Sequence, residues 1–412
     1  MPLDYLTEDS TDRLALEGGS PAITRSLPTW PAFGEEEIAA AVAVLRSGRV
    51  NYWTGDETRR FEEEFAAVTG CRYAVALSNG TVALEAALAA LGVGPGDDVI
   101  VTSRSFVASA ACVLLRGARP IFADVDRDSQ NITAETIAAV LTPHSRAVIA
   151  VHLAGRPCDM DPIRELCRRH GLAILEDCAQ AHGARYRGRP VGSLGDLAAF
   201  SFCQDKIMTT AGEGGMVTTN DAELFRRVWT FKDHGKNYEA MQRLDSGWQF
   251  RWVHDELGTN ARMTEFQGAV GRVVLRNLDA WVERRRRHAA IFIEELAPLP
   301  CVRVPIPPPD IRHAYYKFYF FVRPERLRPD WNRDRVLVAL RAENVPCGTG
   351  ACPEIYREKL FRDRNLGPDR RLPVARELGE TAIMLPVHPT LGEQDVRDMA
   401  RAVRKVLRRA AA

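Results

Sequence analysis

The feature that most limits the possible folds is a repeated alternation of short apolar runs with helical segments. Strand-like runs are predicted at residues 73–77, 98–103, 120–125, 147–153, 172–175, 197–202 and 216–219. Helical segments are predicted between them or just after them, at residues 82–91, 134–141, 162–170 and 222–230. Because strands that alternate with helices usually lie parallel in one sheet, this pattern predicts an α/β domain with helices on both faces of the sheet.

Two charged residues follow predicted strands in the stretch from residue 172 to residue 220. Asp177 lies at the end of the run that starts at residue 172, and Lys206 lies four residues after the run that ends at Phe202. Ligands of such sheets bind beyond the carboxyl ends of the strands. Pyridoxal phosphate needs both groups, a lysine amine for a Schiff base and a carboxylate on its pyridine nitrogen. Either residue alone would more often be a surface charge, and the combination favours the cofactor.

The motifs around these residues are long and specific. Residues 176–183 read E-D-C-A-Q-A-H-G, residues 201–206 read S-F-C-Q-D-K, and residues 212–215 read G-E-G-G. They resemble the DegT/DnrJ/EryC1/StrS family of pyridoxal-phosphate-dependent sugar aminotransferases, and further matches at residues 80–81 and 260–262 extend the resemblance over most of the chain. Some members that dehydrate sugars carry histidine in place of the lysine, so the lysine here favours transamination.

The resemblance implies a role for each motif residue. Lys206 is expected to hold the cofactor and to act as the catalytic acid and base, and Asp177 is expected to contact the ring nitrogen. Phe106 is expected to stack on the ring, and Gln180 is expected to lie beside it. The phosphate is expected to be bound by Gly80, Thr81, Ser201 and, from the neighbouring subunit of a homodimer with shared sites, Asn260.

Several of these positions also have simpler interpretations. The turn at residues 78–81 precedes a helix, so it could bind an anion through unpaired amides or could only cap the helix. Phe106 could be a core residue, and Asn260 and Arg262 could be ordinary loop and cap residues. The polar stretch at residues 231–260 lacks a clear period, and in the resembling family this region crosses to the partner subunit. No role is assigned to His182.

The resemblance implies the aspartate aminotransferase fold of type I, in which a large domain has a seven-stranded, mostly parallel sheet. We expect an N-terminal arm at residues 1–34 and the large cofactor-binding α/β domain at residues 35–296. The proline-rich residues 297–311 mark a boundary, after which residues 297–412 are expected to form a small α+β domain. A helix predicted at residues 265–287 ends in four consecutive arginines, a run that is usually a solvated helix face.

Composition excludes several classes of protein. A net charge of +1 over 412 residues argues against a dedicated nucleic-acid binder. No apolar run approaches the roughly 18 to 20 residues of a membrane span, and the N-terminus is acidic, unlike a signal peptide, so a cytoplasmic protein is expected. The nine cysteines are scattered without a C-x-x-C motif, and the histidines form no ligand-spaced cluster, so no metal site is predicted.

The predicted function is transfer of an amino group from an amino acid, glutamate or glutamine, to a keto-sugar. By resemblance, the acceptor is a nucleotide-linked keto-deoxyhexose, and the pathway makes amino sugars for a cell-surface polysaccharide or a natural product. An alternative acceptor is a cyclitol ketone or an aminohydroxybenzoate-type precursor, because the run around Lys206 resembles those relatives too. A regulatory protein of the same fold is the alternative outside enzymes, and the intact Lys206, Asp177 and Gln180 argue against it.

Overall fold

The computed structural model describes residues 13–243 and 252–412, so residues 1–12 of the predicted arm and residues 244–251 of the polar stretch lie outside the described residues. The described helices are α1 (Glu35–Ser47), α2 (Glu57–Thr69), α3 (Gly80–Ala90), α4 (Ala108–Leu115), α5 (Ala134–Ala138), α6 (Met160–His170), α7 (Ala222–Lys232), α8 (Tyr238–Gln242), α9 (Glu265–Leu296), α10 (Arg333–Ala342), α11 (Lys359–Arg362), α12 (Pro373–Thr381) and α13 (Glu393–Ala410). The strands are β1 (Tyr73–Leu77), β2 (Asp98–Thr102), β3 (Arg119–Ala123), β4 (Ser145–Val151), β5 (Ala173–Asp177), β6 (Arg185–Tyr186), β7 (Arg189–Pro190), β8 (Leu197–Ser201), β9 (Gly215–Thr219), β10 (Val302–Arg303), β11 (Ile311–Arg312), β12 (Phe318–Val322) and β13 (Ala382–Leu385).

The main sheet has seven strands in the order β1-β9-β8-β5-β4-β2-β3. Strand β9 runs antiparallel to both of its neighbours, and every other adjacent pair in this sheet is parallel. The prediction of a seven-stranded, mostly parallel sheet is therefore confirmed. Two smaller sheets, β11-β6-β7 and β10-β12-β13, have three strands each.

Both faces of the main sheet are buried, which explains why its strands read as continuous apolar runs. Along β2, Val99 and Val101 belong to the core on one face, and Ile100 belongs to the core on the other face. Helix α3 covers the first face with its small, apolar residues, and α2 covers the second face with Phe61 and Phe65. Val68, which the helical period places with these phenylalanines, is instead 45% exposed.

A further hydrophobic core surrounds the sheet β10-β12-β13. It contains apolar residues of α10 and α13, and also Leu14 and Ile23 from the N-terminal part of the chain. Helix α9 extends to Leu296, beyond the predicted end at residue 287, because Ala289, Phe292 and Leu296 pack into this core. One helix thus contributes to the cores on both sides of the predicted domain boundary.

The first residue of helix α9 contacts the start of helix α2. The carboxylate of this residue, Glu265, accepts hydrogen bonds from the backbone amides of Glu57 at 2.6 Å and Thr58 at 3.4 Å. These are first-turn amides of α2 without an acceptor in their own helix, so Glu265 caps α2 from another element. No helix within the described ranges has both the length and the apolar character needed to cross a membrane.

The sequence pattern suggested that the arginine run of α9 is a solvated face. The structure shows that one of the four arginines is buried. Arg285 is 1% exposed, and its guanidinium lies 5.3 Å from the centre of the Trp30 ring. Four consecutive residues span more than a full turn of an α-helix, so one member of such a run points inward whenever the helix is packed on a core. Arg285 is that member.

Candidate active site

The main sheet brings the predicted site residues to one edge. Strand pairing places Leu77 beside Gly215 and Gly215 beside Ser201, so the ends of three strands lie in a row. On the next strand, Asp177 pairs with Ala199. The chain that leaves β1 therefore crosses the ends of β9 and β8, where the predicted phosphate-binding residues meet.

The predicted phosphate site is a tight cradle at the start of α3. A Cβ atom added to Gly80 would lie 2.5 Å from the Cβ of Ser201, which is closer than side chains approach one another, so only glycine fits. The side chain of Asn79 accepts a hydrogen bond from the amide of Val82 at 3.0 Å and caps the helix. The amides of Gly80 and Thr81 have no acceptor among the described residues, and so the turn both caps the helix and offers donors to an anion.

Asp177 is buried, with 4% of its surface exposed, at the end of β5. Its carboxylate accepts hydrogen bonds from the Ser109 hydroxyl at 2.7 Å and the Ala179 amide at 3.1 Å. Burial raises the pKa of Asp177, and these hydrogen bonds together with nearby His152 and Lys206 offset only part of that effect. A buried carboxylate that lacks enough positive charge is a suitable partner for a cationic ring nitrogen.

The neighbouring carboxylate, Glu176, has the opposite environment. Its oxygens accept four N–H groups at 2.7 to 3.0 Å, from the amides of Gly192, Leu194 and Gly195 and from Nε2 of His152. Burial alone would raise the pKa of Glu176, but these donors lower it. Glu176 therefore fixes the end of β5 to the loop before β8 and holds Asp177 in position.

His152 and Glu176 also belong to a group of potential metal ligands. Their ligand atoms and the thiol of Cys178 all lie within 4.8 Å of one another. However, Nδ1 of His152 accepts the amide of Cys158 at 3.0 Å, and both oxygens of Glu176 are hydrogen-bonded. The geometry is that of a hydrogen-bonded brace.

Lys206 acts on the charge of Asp177 and also has an acidic neighbour of its own. Its side chain is 17% exposed, and Nζ lies 3.3 Å from an oxygen of Asp205. The other oxygen of Asp205 accepts a short hydrogen bond from the hydroxyl of Tyr316, whose ring centre is 5.1 Å from Nζ. The backbone carbonyl of Lys206 accepts the indole N–H of Trp30 at 2.8 Å. Asp205 and Tyr316 thus lie beside the side chain of Lys206, and Trp30 fixes its backbone.

Gln180 and Phe106 are the remaining residues that the motifs assign to the cofactor ring. The side-chain oxygen of Gln180 accepts the amide of Ala154 at 2.8 Å, which leaves its NH₂ group without a partner among the described residues. Phe106 lies in the loop between β2 and α4 and is 65% exposed, so it is not a core residue. An uncovered aromatic face is what stacking on a cofactor ring requires.

The segment that carries Asn260 runs beside the phosphate cradle. The carbonyl of Ala261 accepts the amide of Ser78 at 2.8 Å, and Arg262 forms an ion pair of 2.7 Å with the buried Asp233. Arg262 therefore has a structural role. The side chain of Asn260 is exposed and has no hydrogen-bond partner in the described part of the chain.

His182 belongs to the hydrophobic wall behind the site. Its ring lies 5.5 Å from that of Phe200 and 5.6 Å from that of Phe202, and neither ring nitrogen has a partner among the described residues. Burial, with Lys206 and Arg285 nearby, lowers the pKa of His182 to about 3. The imidazole is neutral and packs as an apolar residue.

Sequence reasoning missed several residues that build this site. Ser109 could have been found as a hydroxyl in the first turn after a strand end, and Glu176 as the second acid of the E-D motif. Trp30 and Tyr316 come from segments far from Lys206 in the sequence, and no local pattern points to them. They reach the lysine only through the tertiary fold.

Known aminotransferases are similar to this chain over most of its length. A solved aminotransferase from Psychrobacter cryohalolentis is 47% identical, covers 93% of this chain and 100% of its own, and superposes with a TM-score of 0.92. A UDP-N-acetyl-3-dehydro-alpha-D-glucosamine 3-aminotransferase from Acidithiobacillus ferrooxidans is 37% identical over 86% of this chain and 89% of its own length. A dTDP-3-amino-3,4,6-trideoxy-alpha-D-glucose transaminase from Streptomyces venezuelae is 37% identical over 90% of this chain and 92% of its own length.

The sequence model of one family matches most of the chain, from residue 31 to residue 404. This match and the relatives above support the enzyme over the regulatory alternative. The chain belongs to the DegT/DnrJ/EryC1/StrS aminotransferase family.

Proposed function

We propose that this protein uses pyridoxal phosphate to transfer an amino group from an amino acid, L-glutamate in the first instance, to a nucleotide-linked keto-sugar. The observation that carries the proposal is the meeting of an anion cradle, a buried carboxylate and a lysine amine at one edge of the sheet. These are the three groups that this cofactor requires.

The residues present fit the cofactor. The amides of Gly80 and Thr81 and the hydroxyl of Ser201 would hold the phosphate, and Asp177 would contact the ring nitrogen. Phe106 would cover one face of the ring, and the free NH₂ group of Gln180 would lie beside the ring. When bound, the ring supplies an electron sink for the transfer of an amine.

The chain's own residues would then position the donor and move protons. Nζ of Lys206 would remove the proton from the α-carbon of the donor as a general base, and in the acceptor half-reaction it would deliver a proton to the sugar carbon that receives the amine, as a general acid. The Tyr316–Asp205 pair holds this amine in place between proton transfers. Glu176 and Ser109 keep Asp177 fixed, so that its charge stays aligned with the ring.

The relatives support a nucleotide-linked acceptor. Two of them, each 37% identical, are named for UDP-linked and dTDP-linked aminosugars. We therefore place this chain in amino-sugar biosynthesis and retain the cyclitol ketone and the aminohydroxybenzoate-type precursor as comparison substrates. Shared sites in a homodimer, with Asn260 reaching the partner's phosphate, and a cytoplasmic location remain predictions.

The direct test is the absorption spectrum of the purified protein before and after addition of L-glutamate. A lysine-bound cofactor gives a visible band, which glutamate should move into the near ultraviolet. Lys206→Ala should lack the band, whereas Lys359→Ala, at a lysine whose side chain is 79% exposed, should keep it. No band in the wild-type protein, even after incubation with pyridoxal phosphate, would refute the proposed cofactor.

A second step identifies the acceptor. UDP-N-acetyl-3-dehydro-glucosamine, added to the glutamate-treated protein, should restore the visible band. If a cyclitol ketone or an aromatic precursor restored the visible band and the sugar nucleotide did not, the acceptor would be assigned to that other substrate class.

A further inference from the structure

One lysine of this protein lacks an acidic partner among the described residues. The chain has six lysines, all within the described residues, and five lie within 4.0 Å of a carboxylate: Lys206, Lys232, Lys236, Lys359 and Lys405. Lys317 has no carboxylate within that distance in the described part of the chain, although it is only partly exposed. An ammonium that is removed from water without a counter-ion is unfavourable and suggests an anion that arrives from outside.

Lys317 lies beside the reactive lysine. The Nζ atoms of Lys317 and Lys206 lie 4.9 Å and 5.1 Å from the centre of the same Tyr316 ring, so they are at most about 10 Å apart. The closest acid to both is Asp205, and its oxygens already contact Tyr316 and Lys206. Burial, with Arg285 and Lys206 nearby, lowers the pKa of Lys317.

A second cation without a carboxylate partner among the described residues contacts the backbone just before Lys317. Arg285 is buried and donates to the carbonyls of Tyr315 and Tyr316 at 3.5 Å and 3.2 Å, and no carboxylate pairs with it in the described residues. Burial lowers the pKa of Arg285 to about 9. Lys206, Lys317 and Arg285 thus all lie around Tyr316, and Asp205 is the carboxylate that acts on the first two.

The position of Lys317 is fixed by the backbone before it. The amides of Ala314 and Tyr316 donate to the carbonyls of Gly155 and Ala154, each at 2.8 Å. Gly155 has a φ of +92°, and a Cβ there would lie 2.9 Å from the amide of Tyr315, so the two segments are in close contact. The same Ala154 binds Gln180, which ties Lys317 to the predicted cofactor site.

We propose that Lys317 binds a carboxylate of the amino donor while the donor's amine is at the Lys206 position. This inference rests on the proposed function and assigns the anion that the site expects. In a dicarboxylic amino acid the carboxylates lie roughly 3 to 6 Å from the amine, a distance below the upper limit of about 10 Å that separates the two lysine nitrogens. The cofactor phosphate has its own donors in the cradle of Gly80 and Thr81.

The test compares Lys317→Met, Lys317→Arg and the surface control Lys359→Met. In rapid-mixing measurements of the visible band, Lys317→Met should raise the half-saturating concentration of L-glutamate about tenfold or more, the effect of losing one charge-assisted hydrogen bond. The maximal rate and cofactor retention should stay within about threefold, and Lys317→Arg should recover most of the affinity, because a cation is restored. L-Alanine, which has only an α-carboxylate, shows which carboxylate of glutamate Lys317 binds. If Lys317→Met weakens the binding of alanine and glutamate equally, Lys317 binds the α-carboxylate. If it weakens the binding of glutamate alone, Lys317 binds the distal carboxylate.

A binding measurement makes the test independent of turnover. Glutarate, a dicarboxylate without an amine, should bind the wild-type protein and the Lys359→Met control in calorimetric titrations and should bind Lys317→Met at least about tenfold more weakly. Unchanged affinities for glutamate and glutarate, or an effect confined to the acceptor half-reaction or to cofactor retention, would overturn the proposal. If the wild-type protein had no visible band, the proposed function would fail, and the glutarate titration alone would decide the role of Lys317.

Discussion

The adjacent carboxylates at the end of β5 should respond in opposite ways when they are neutralised. Glu176→Gln and Asp177→Asn each replace a buried carboxylate with an amide of nearly the same shape. The pKa of Glu176 is lowered in the folded protein, so its ionised form stabilises the fold at neutral pH, and this stability is lost as the pH falls through the lowered value. The pKa of Asp177 is raised, so its ionisation destabilises the fold as the pH rises through the raised value.

The hydrogen bonds set the magnitudes. A glutamine at position 176 offers one acceptor oxygen where two now accept four N–H groups, which leaves about two buried donors unpaired at about 1–3 kcal/mol each. An asparagine at position 177 keeps an acceptor for the Ala179 amide. The Ser109 hydroxyl can turn to accept from the new NH₂ group, because Ser105 lies 3.0 Å away and either hydroxyl of that pair can donate.

The assay is thermal unfolding of the cofactor-free proteins at pH 8, together with the glutamate half-reaction. Glu176→Gln should lower the melting temperature by several degrees, and Asp177→Asn should leave it unchanged or raise it. Asp177→Asn should slow the half-reaction roughly 10- to 150-fold, the loss of one charged hydrogen bond of about 1.5–3 kcal/mol. Equal destabilisation by the two substitutions, or an Asp177→Asn rate within threefold of wild type, would refute the reasoning.

Three further predictions test other parts of the site. Gly80→Ala places a Cβ 2.5 Å from the side chain of the neighbouring strand and should weaken cofactor binding roughly 10-fold or more, whereas Gly94→Ala, in open space, should leave the dissociation constant unchanged. Glu265→Ala removes the cap of α2 and should lower the free energy of unfolding by about 1–3 kcal/mol in denaturant titrations, while the cofactor affinity stays the same. An unchanged free energy of unfolding would contradict the capping role. Mixing Lys206→Ala subunits with Asn260→Ala subunits should restore activity if sites are shared, because each mixed dimer then contains one intact site, and no recovery would count against sharing.

The sheet and its cofactor edge could be predicted because local patterns determine them. The strand at Tyr73–Leu77 has the predicted bounds, and Asp177 lies at a strand end as expected from the apolar run before it. Both faces of this sheet are covered, so the middle of each strand is mostly apolar and the apolar runs are visible in the sequence. Gly80 was predicted from the turn before a helix and from the family resemblance, and the structure adds that a Cβ there would lie 2.5 Å from the Cβ of Ser201.

The other side of the site could not be predicted in this way. The alternation of aromatic and apolar residues from position 314 to position 322 predicts a strand there. The strand begins only at Phe318, because the backbone at Ala314 and Tyr316 bonds to the loop at residues 153–155 and not to a neighbouring strand. Arg285 appeared to belong to a solvated run, and its burial follows from the packing of Trp30 and the Tyr316 carbonyl around it. The contacts of Arg285 join residues 31 and 255 positions apart in the sequence, which a local period does not record.

Helix α9 has a mechanical consequence for how this enzyme can open. It has 32 residues and is therefore about 48 Å long, and it caps α2 at one end and contributes Leu296 to the C-terminal core at the other. A swing of the C-terminal part about the proline-rich segment alone would pull Ala289 and Phe292 out of that core. Substrate access should therefore involve small shifts of side chains at packed surfaces or bending of α9. In either case the two ends of this helix should move together.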